Sequence, residues 1–201
     1  FFLLTGMATS YFDFLTYPVA SLGMPLIVWL LLHRDETARA CLWRMVRCGL
    51  CWALGYAGMW AGKWALALLY GSEGFWSTLV GSLEVRTSHE VRGVGEIGRL
   101  DALWKAASVF FKKPYFMAGA AALFGYGAVF VRRRARKLPM EKNSRGLAAA
   151  LGCVALLPLG WYLFTANHTY NHAFFTSRAL CVTVFGLTGA LTCCLPAREK
   201  K

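Results

Sequence analysis

The sequence predicts an all-α fold, a polytopic helical membrane protein with about five transmembrane helices plus an interfacial amphipathic helix. Three observations carry that expectation. Of the 201 residues, 57% are hydrophobic and 16% are charged, against about 25% charged in an ordinary soluble domain. The apolar residues come in blocks, each long enough for a helix to cross ~30 Å of hydrocarbon. The basic residues behind the net charge of +12 fall mostly in short links between those blocks. Such clustering suits anionic headgroups at a membrane surface rather than nucleic acid. The chain reads as one helical membrane domain, residues 1–201.

The first block, residues 1–32, holds one charge, Asp13, and is interrupted by Gly6, Pro18, Gly23 and Pro25. A single straight helix of that length would reach ~48 Å, well beyond a bilayer core. We therefore expect a first piece over residues 1–9, ending an earlier helix or re-entering the membrane. A kinked span over 11–32 should follow. The chain opens at Phe1 inside this apolar run, without the basic segment and cleavage site of a signal peptide. The expectation is the C-terminal part of a longer protein.

Residues 33–47 read as a basic link carrying Arg34, Arg39, Arg44 and Arg47. The second span, 48–70, contains Lys63 and the sequence Gly58-Met59-Trp60-Ala61-Gly62, whose GxxxG spacing predicts a close-packed neighbour. Residues 71–113 form the long outer loop. Within it Ile97, Leu100, Leu103, Trp104, Ala107, Phe110 and Phe111 recur at helical spacing opposite Arg99, Lys105 and Lys112. That pattern predicts an amphipathic helix lying in the membrane interface. The third span, 114–131, opens on Pro114, which suits a first helical turn. After the Arg-rich link come the fourth span, 146–164, bent near Pro158, and the fifth, 179–195.

The first link, the Arg-rich link and the C-terminal tail share one side of a five-span topology, and they hold most of the 22 Lys and Arg. The positive-inside rule makes that side cytoplasmic. The C-terminus is then cytoplasmic in a cell membrane, and loops 71–113 and 165–178 are extracytoplasmic.

Candidate site residues follow from that topology. Asp13, near the outer end of the first span, is the candidate catalytic carboxylate. Lys63 is buried in a span, where an ionisable residue needs a partner or a wet cavity; pairing with Asp13 and snorkelling outward along its own stem both remain open. The link Asn167-His168-Thr169-Tyr170-Asn171-His172 is the short connection richest in chemistry. His168 and His172 stand at i, i+4, as in helical zinc sites, but lack the further ligands such a site needs. Polar hydrogen bonding is the expected role, with no metal and no cofactor. Arg178 suits a phosphate through bidentate hydrogen bonds, or anchors its helix at the lipid–water boundary. The cysteines, Cys41, Cys48, Cys51, Cys153, Cys181, Cys193 and Cys194, read as small hydrophobes packing in apolar blocks.

Two stretches carry a resemblance. Thr9-Ser10-Tyr11-Phe12-Asp13-Phe14-Leu15-Thr16-Tyr17-Pro18, leading to Leu22-Gly23-Met24-Pro25, is one. Ala166-Asn167-His168-Thr169-Tyr170-Asn171-His172-Ala173-Phe174-Phe175-Thr176-Ser177-Arg178 is the other. They resemble segments of a group of uncharacterised bacterial multi-pass membrane proteins, which in turn look like GT-C type glycosyltransferases that use polyprenyl-phosphate sugars. The resemblance implies an envelope protein whose C-terminal half holds the lipid-phosphate end of a donor, with Arg178 and the Asn/His link near it. The acidic signature of those transferases lies in an early outward loop that has no counterpart here. A transporter or flippase-like protein, with spans broken by proline, and a non-catalytic membrane subunit are the alternatives.

Overall fold

A computed structural model of the chain describes residues 1–12, 18–33, 37–71, 74–91, 93–135 and 144–194. Among these residues the fold is all-α, apart from one two-stranded ribbon. The first apolar block contains α1 (Phe2–Phe12) and α2 (Pro18–Leu32), and residues 13–17 of the expected kinked span over 11–32 lie outside the described residues. Pro18 takes the first position of α2, where its missing N–H costs nothing.

Helix α3 (Ala38–Leu69) starts ten residues earlier than expected, so Arg39, Arg44 and Arg47 belong to its first turns and not to a link. The reason is an N-cap: the Thr37 hydroxyl accepts from the Ala40 N–H at 3.3 Å. The long outer loop is mostly ordered as helix and ribbon. It contains α4 (Phe75–Thr87), the antiparallel pair β1 (Glu90–Val91) and β2 (Gly95–Glu96), and α5 (Arg99–Phe111). The expected amphipathic helix is therefore present as α5, whereas α4 lay in what the sequence reads as loop. Then come α6 (Pro114–Ala135), α7 (Ser144–Phe164), α8 (Ala166–Asn171), α9 (Ala173–Thr176), a 3-10 turn (Ser177–Ala179) and α10 (Leu180–Cys193).

The core lies where α2, α3, α7 and α10 meet, around Leu26, Leu30, Leu147, Leu151, Val154 and Val182. Small residues let the helices touch through their backbones. A Cβ added at Gly6 of α1 would overlap the Trp52 carbonyl of α3, and one at Gly55 would overlap the Leu3 carbonyl. Gly186 of α10 meets Ala155 and the Leu151 carbonyl of α7 in the same way. The GxxxG pair does not behave as its spacing suggests. Among the described residues nothing lies within 4 Å of a Cβ built at Gly58 or Gly62, and the close crossing on α3 uses Gly55.

Polar side chains pin these crossings. Thr9 donates to Ser21 Oγ at 2.7 Å, and the Trp52 indole N–H donates to the same oxygen at 3.2 Å, joining α1, α2 and α3. Pro158 removes the donor that the Val154 carbonyl would otherwise meet within α7, and at the next residue the Thr183 hydroxyl of α10 donates to the Ala155 carbonyl at 2.8 Å. Two helical stretches among the described residues, Ser144–Phe164 and Ala173–Cys193, are long and apolar enough to cross a membrane.

Candidate functional site

A cleft of about 870 Å³ opens between α4 and the α8–α9 segment. Its α8–α9 wall is the Asn/His stretch: Asn167, His168, Asn171, His172 and Phe175. Its α4 wall is Ser77, Thr78, Gly81, Ser82, Val85 and Arg86. Hydroxyls, amides, imidazoles and one guanidinium face the space, and no carboxylate is among the described lining residues. Helix α4 achieves this by segregation around its axis. Ser77, Thr78, Gly81, Ser82 and Val85 face the cleft, while Trp76, Val80 and Leu83 fall on the far side and are exposed.

The α8 wall is held rigidly. Tyr162 sends its hydroxyl to the Thr176 carbonyl, and Thr176 in turn donates to the His172 carbonyl at 3.1 Å. Asn167 is buried and ties α8 to the ribbon. Its amide donates to Ser88 Oγ at 3.1 Å and to the Glu90 carbonyl, and its carbonyl oxygen accepts from Asn171 at 2.7 Å. Both amide hydrogens of Asn167 are thereby spent on protein groups. The residue positions the wall, and Asn171 and His172 are the exposed polar groups on it. The His168 and His172 rings lie with their centres 4.8 Å apart, tilted 45° to each other. No third His, Cys, Asp or Glu joins them in a metal-binding group among the described residues.

The remaining site candidates lie elsewhere. Lys63 does not line the cleft. Its ammonium donates to the Ser10 carbonyl at 2.9 Å and lies 5.5 Å from the Tyr11 ring centre. It thus meets the C-terminal turn of α1, where the helix dipole favours a cation. Asp13, the expected partner, lies outside the described residues. Arg178 is exposed in the 3-10 turn, 5.8 Å and 5.5 Å from the ring centres of Phe174 and Phe175. Of the six predicted residues the structure brings Asn167, His168 and His172 to one cleft, and separates Lys63 and Arg178 from its lining.

Arg86 is a cleft residue that the sequence does not single out. Its guanidinium donates to the Ser82 carbonyl at 2.8 Å and lies 6.0 Å from the Trp60 ring centre of α3. No periodic signal exposes this residue, because its partners come from its own turn and from a helix far back in the chain. Comparison with protein families, with curated proteins and with solved structures finds no match.

Proposed function

We propose that this protein is an integral membrane protein of the bacterial envelope whose cleft between α4 and α8 binds the polar head of a lipid-linked sugar phosphate. One observation carries the reading. Among the described residues the cleft lining combines a guanidinium, two imidazoles and several neutral hydrogen-bonding groups, without an acidic side chain. That set suits a ligand with an anionic group and several hydroxyls. Arg86 meets the phosphate; Asn171, Ser77 and Ser82 meet sugar hydroxyls.

The membrane setting rests on exposure. Large apolar side chains stand outward on helix after helix: Leu32 on α2, Leu54 and Leu69 on α3, Phe124 and Val131 on α6, Leu156 on α7 and Phe185 on α10. Water penalises such a surface and lipid does not. The five-span arrangement, with loops 71–113 and 165–178 outside and the C-terminus in the cytoplasm, fits the charge distribution. On α5, Leu100, Trp104 and Phe111 fall within about 40° of one another on the helix and are exposed, which suits contact with the lipid interface.

If the protein transfers the sugar, the acceptor hydroxyl needs a base. His172, exposed at the cleft, and Asp13 are the candidates. The competing reading is a transporter or flippase-like protein, which the prolines inside α2 and α7 favour. The test uses the full chain in nanodiscs with a polyprenyl-phosphate sugar, read by native mass spectrometry and by sugar transfer. Binding that Arg86→Gln lowers about tenfold is expected for loss of one charge-assisted contact. Undiminished binding in that variant rejects the cleft. Binding with translocation and no transfer selects the transporter.

A further inference from the structure

Lys113 closes the turn between α5 and α6, and Arg178 heads α10; neither lines the cleft. The two come together on Phe174. The Lys113 ammonium donates to the Phe174 carbonyl at 3.2 Å and stands 4.3 Å from the centre of its ring. Arg178 approaches the same ring at 5.8 Å and the Phe175 ring at 5.5 Å. Aromatic faces attract both cations, yet bringing two like charges to one ring is unfavourable in itself. Desolvation, and secondarily Arg178, holds the Lys113 pKa below the ordinary lysine value. Among the described residues Arg178 makes no ion pair. A shared anion between the two side chains turns this repulsion into attraction.

We propose that Lys113 and Arg178 form a clamp for the phosphate of an anionic phospholipid, a site that adjoins the cleft at Phe175 but uses none of its polar groups. The planar fork of Arg178 matches two phosphate oxygens and the ammonium of Lys113 supplies the second charge. The surroundings select a lipid over a free ion. Phe174 and Phe175 are exposed beside the cations. One turn beyond Lys113, Met117 is exposed on α6, and Phe185 is exposed on α10. These helices touch below the clamp, where a Cβ at Gly119 would lie 3.3 Å from Val184. The clamp thus stands at the head of an apolar surface that acyl chains can cover, which inorganic phosphate has no means to use.

The proposal rests on the membrane reading, and flotation of the protein with vesicles checks that reading separately. Full-length protein is placed in nanodiscs of mixed phosphatidylglycerol and phosphatidylcholine, and the retained lipids are counted by native mass spectrometry. Wild type should prefer phosphatidylglycerol. The double variant K113Q/R178Q should lose that preference by about 25-fold, at about fivefold per interfacial cation. The swap K113R/R178K, which keeps both charges, should retain it, and K112Q, outside the clamp, should leave it unchanged. Excess inorganic phosphate should not displace the lipid from wild type, a measurement independent of whether any variant folds. Equal loss in K112Q means diffuse attraction and overturns the clamp. Displacement by phosphate overturns the lipid assignment, and unchanged retention in the double variant overturns both. Protein that does not float with vesicles at all fails the membrane reading instead.

Discussion

Asn167 has the chemistry of a ligand-binding residue and the placement of a tie. Its amide hydrogens go to Ser88 and Glu90, and its oxygen to Asn171. Asn167→Leu leaves the Glu90 carbonyl and the Ser88 hydroxyl without this donor. It should cost about 2 kcal/mol of stability, with proteolysis appearing first around residues 88–97. A variant as stable as wild type contradicts the tie. Lys113 makes the second residue-level case. Burial and Arg178 both disfavour its charged form, so its folded pKa lies below the unfolded one. The resulting stability penalty is present below the lowered pKa and is lifted as pH rises through it towards the unfolded value. Arg178→Gln removes the smaller of the two causes and should raise the Lys113 pKa, read by NMR of the labelled lysine side chain. No movement means the two cations do not sense each other.

At the scale of the element, close crossings depend on which glycine has a neighbour. Gly6→Leu or Gly186→Leu should cost about 3 kcal/mol or more, because the new side chain meets backbone that cannot retreat. Gly58→Ala meets open space and should stay within about 0.5 kcal/mol. Thr183→Val should cost about 1 kcal/mol by freeing the Ala155 carbonyl beside Pro158. Thermal melts in one detergent rank the set. These positions also mark how far the sequence could be read. Long apolar runs announce α3, α6 and α7, although α3 begins ten residues before its run. The GxxxG spacing states only that an approach is sterically allowed, and the partner on α1 meets α3 at Gly55. Helix α4 falls in the stretch that the sequence reads as loop, and glycine at 71, 74 and 81 lowers the helical signal there. Its apolar face, Trp76, Val80 and Leu83, is left exposed in the structure, so no core periodicity marks it. The apolar stripe of α5 was legible as a helix but divides in space. Of the stripe, Ile97 and Phe110 pack inward, joined by Ala102 and Ala106 from outside it, while Leu100, Trp104 and Phe111 stay exposed.

At the scale of the molecule, the polar cleft lies between α4 and the α8–α9 segment, apart from the apolar core where α2, α3, α7 and α10 meet. The α8–α9 half of that cleft was legible, since Asn167, His168, Asn171 and His172 are close in sequence. The other half was not, because Arg86 and Ser82 reach it through tertiary packing. The clamp was half legible for the same reason: Arg178 stood out, but Lys113 is 61 residues from Phe174 along the chain. On the proposed topology the cleft faces the outside of the cell and takes the head of a lipid-linked sugar phosphate. The most direct test is Ser82→Cys in the full chain in intact cells. The label is a membrane-impermeant maleimide, read above the background of the unsubstituted protein. The account predicts labelling from outside and protection by added polyprenyl-phosphate sugar. Labelling only after the cells are opened contradicts the orientation, and labelling from outside that the ligand leaves unchanged contradicts the cleft as the binding site.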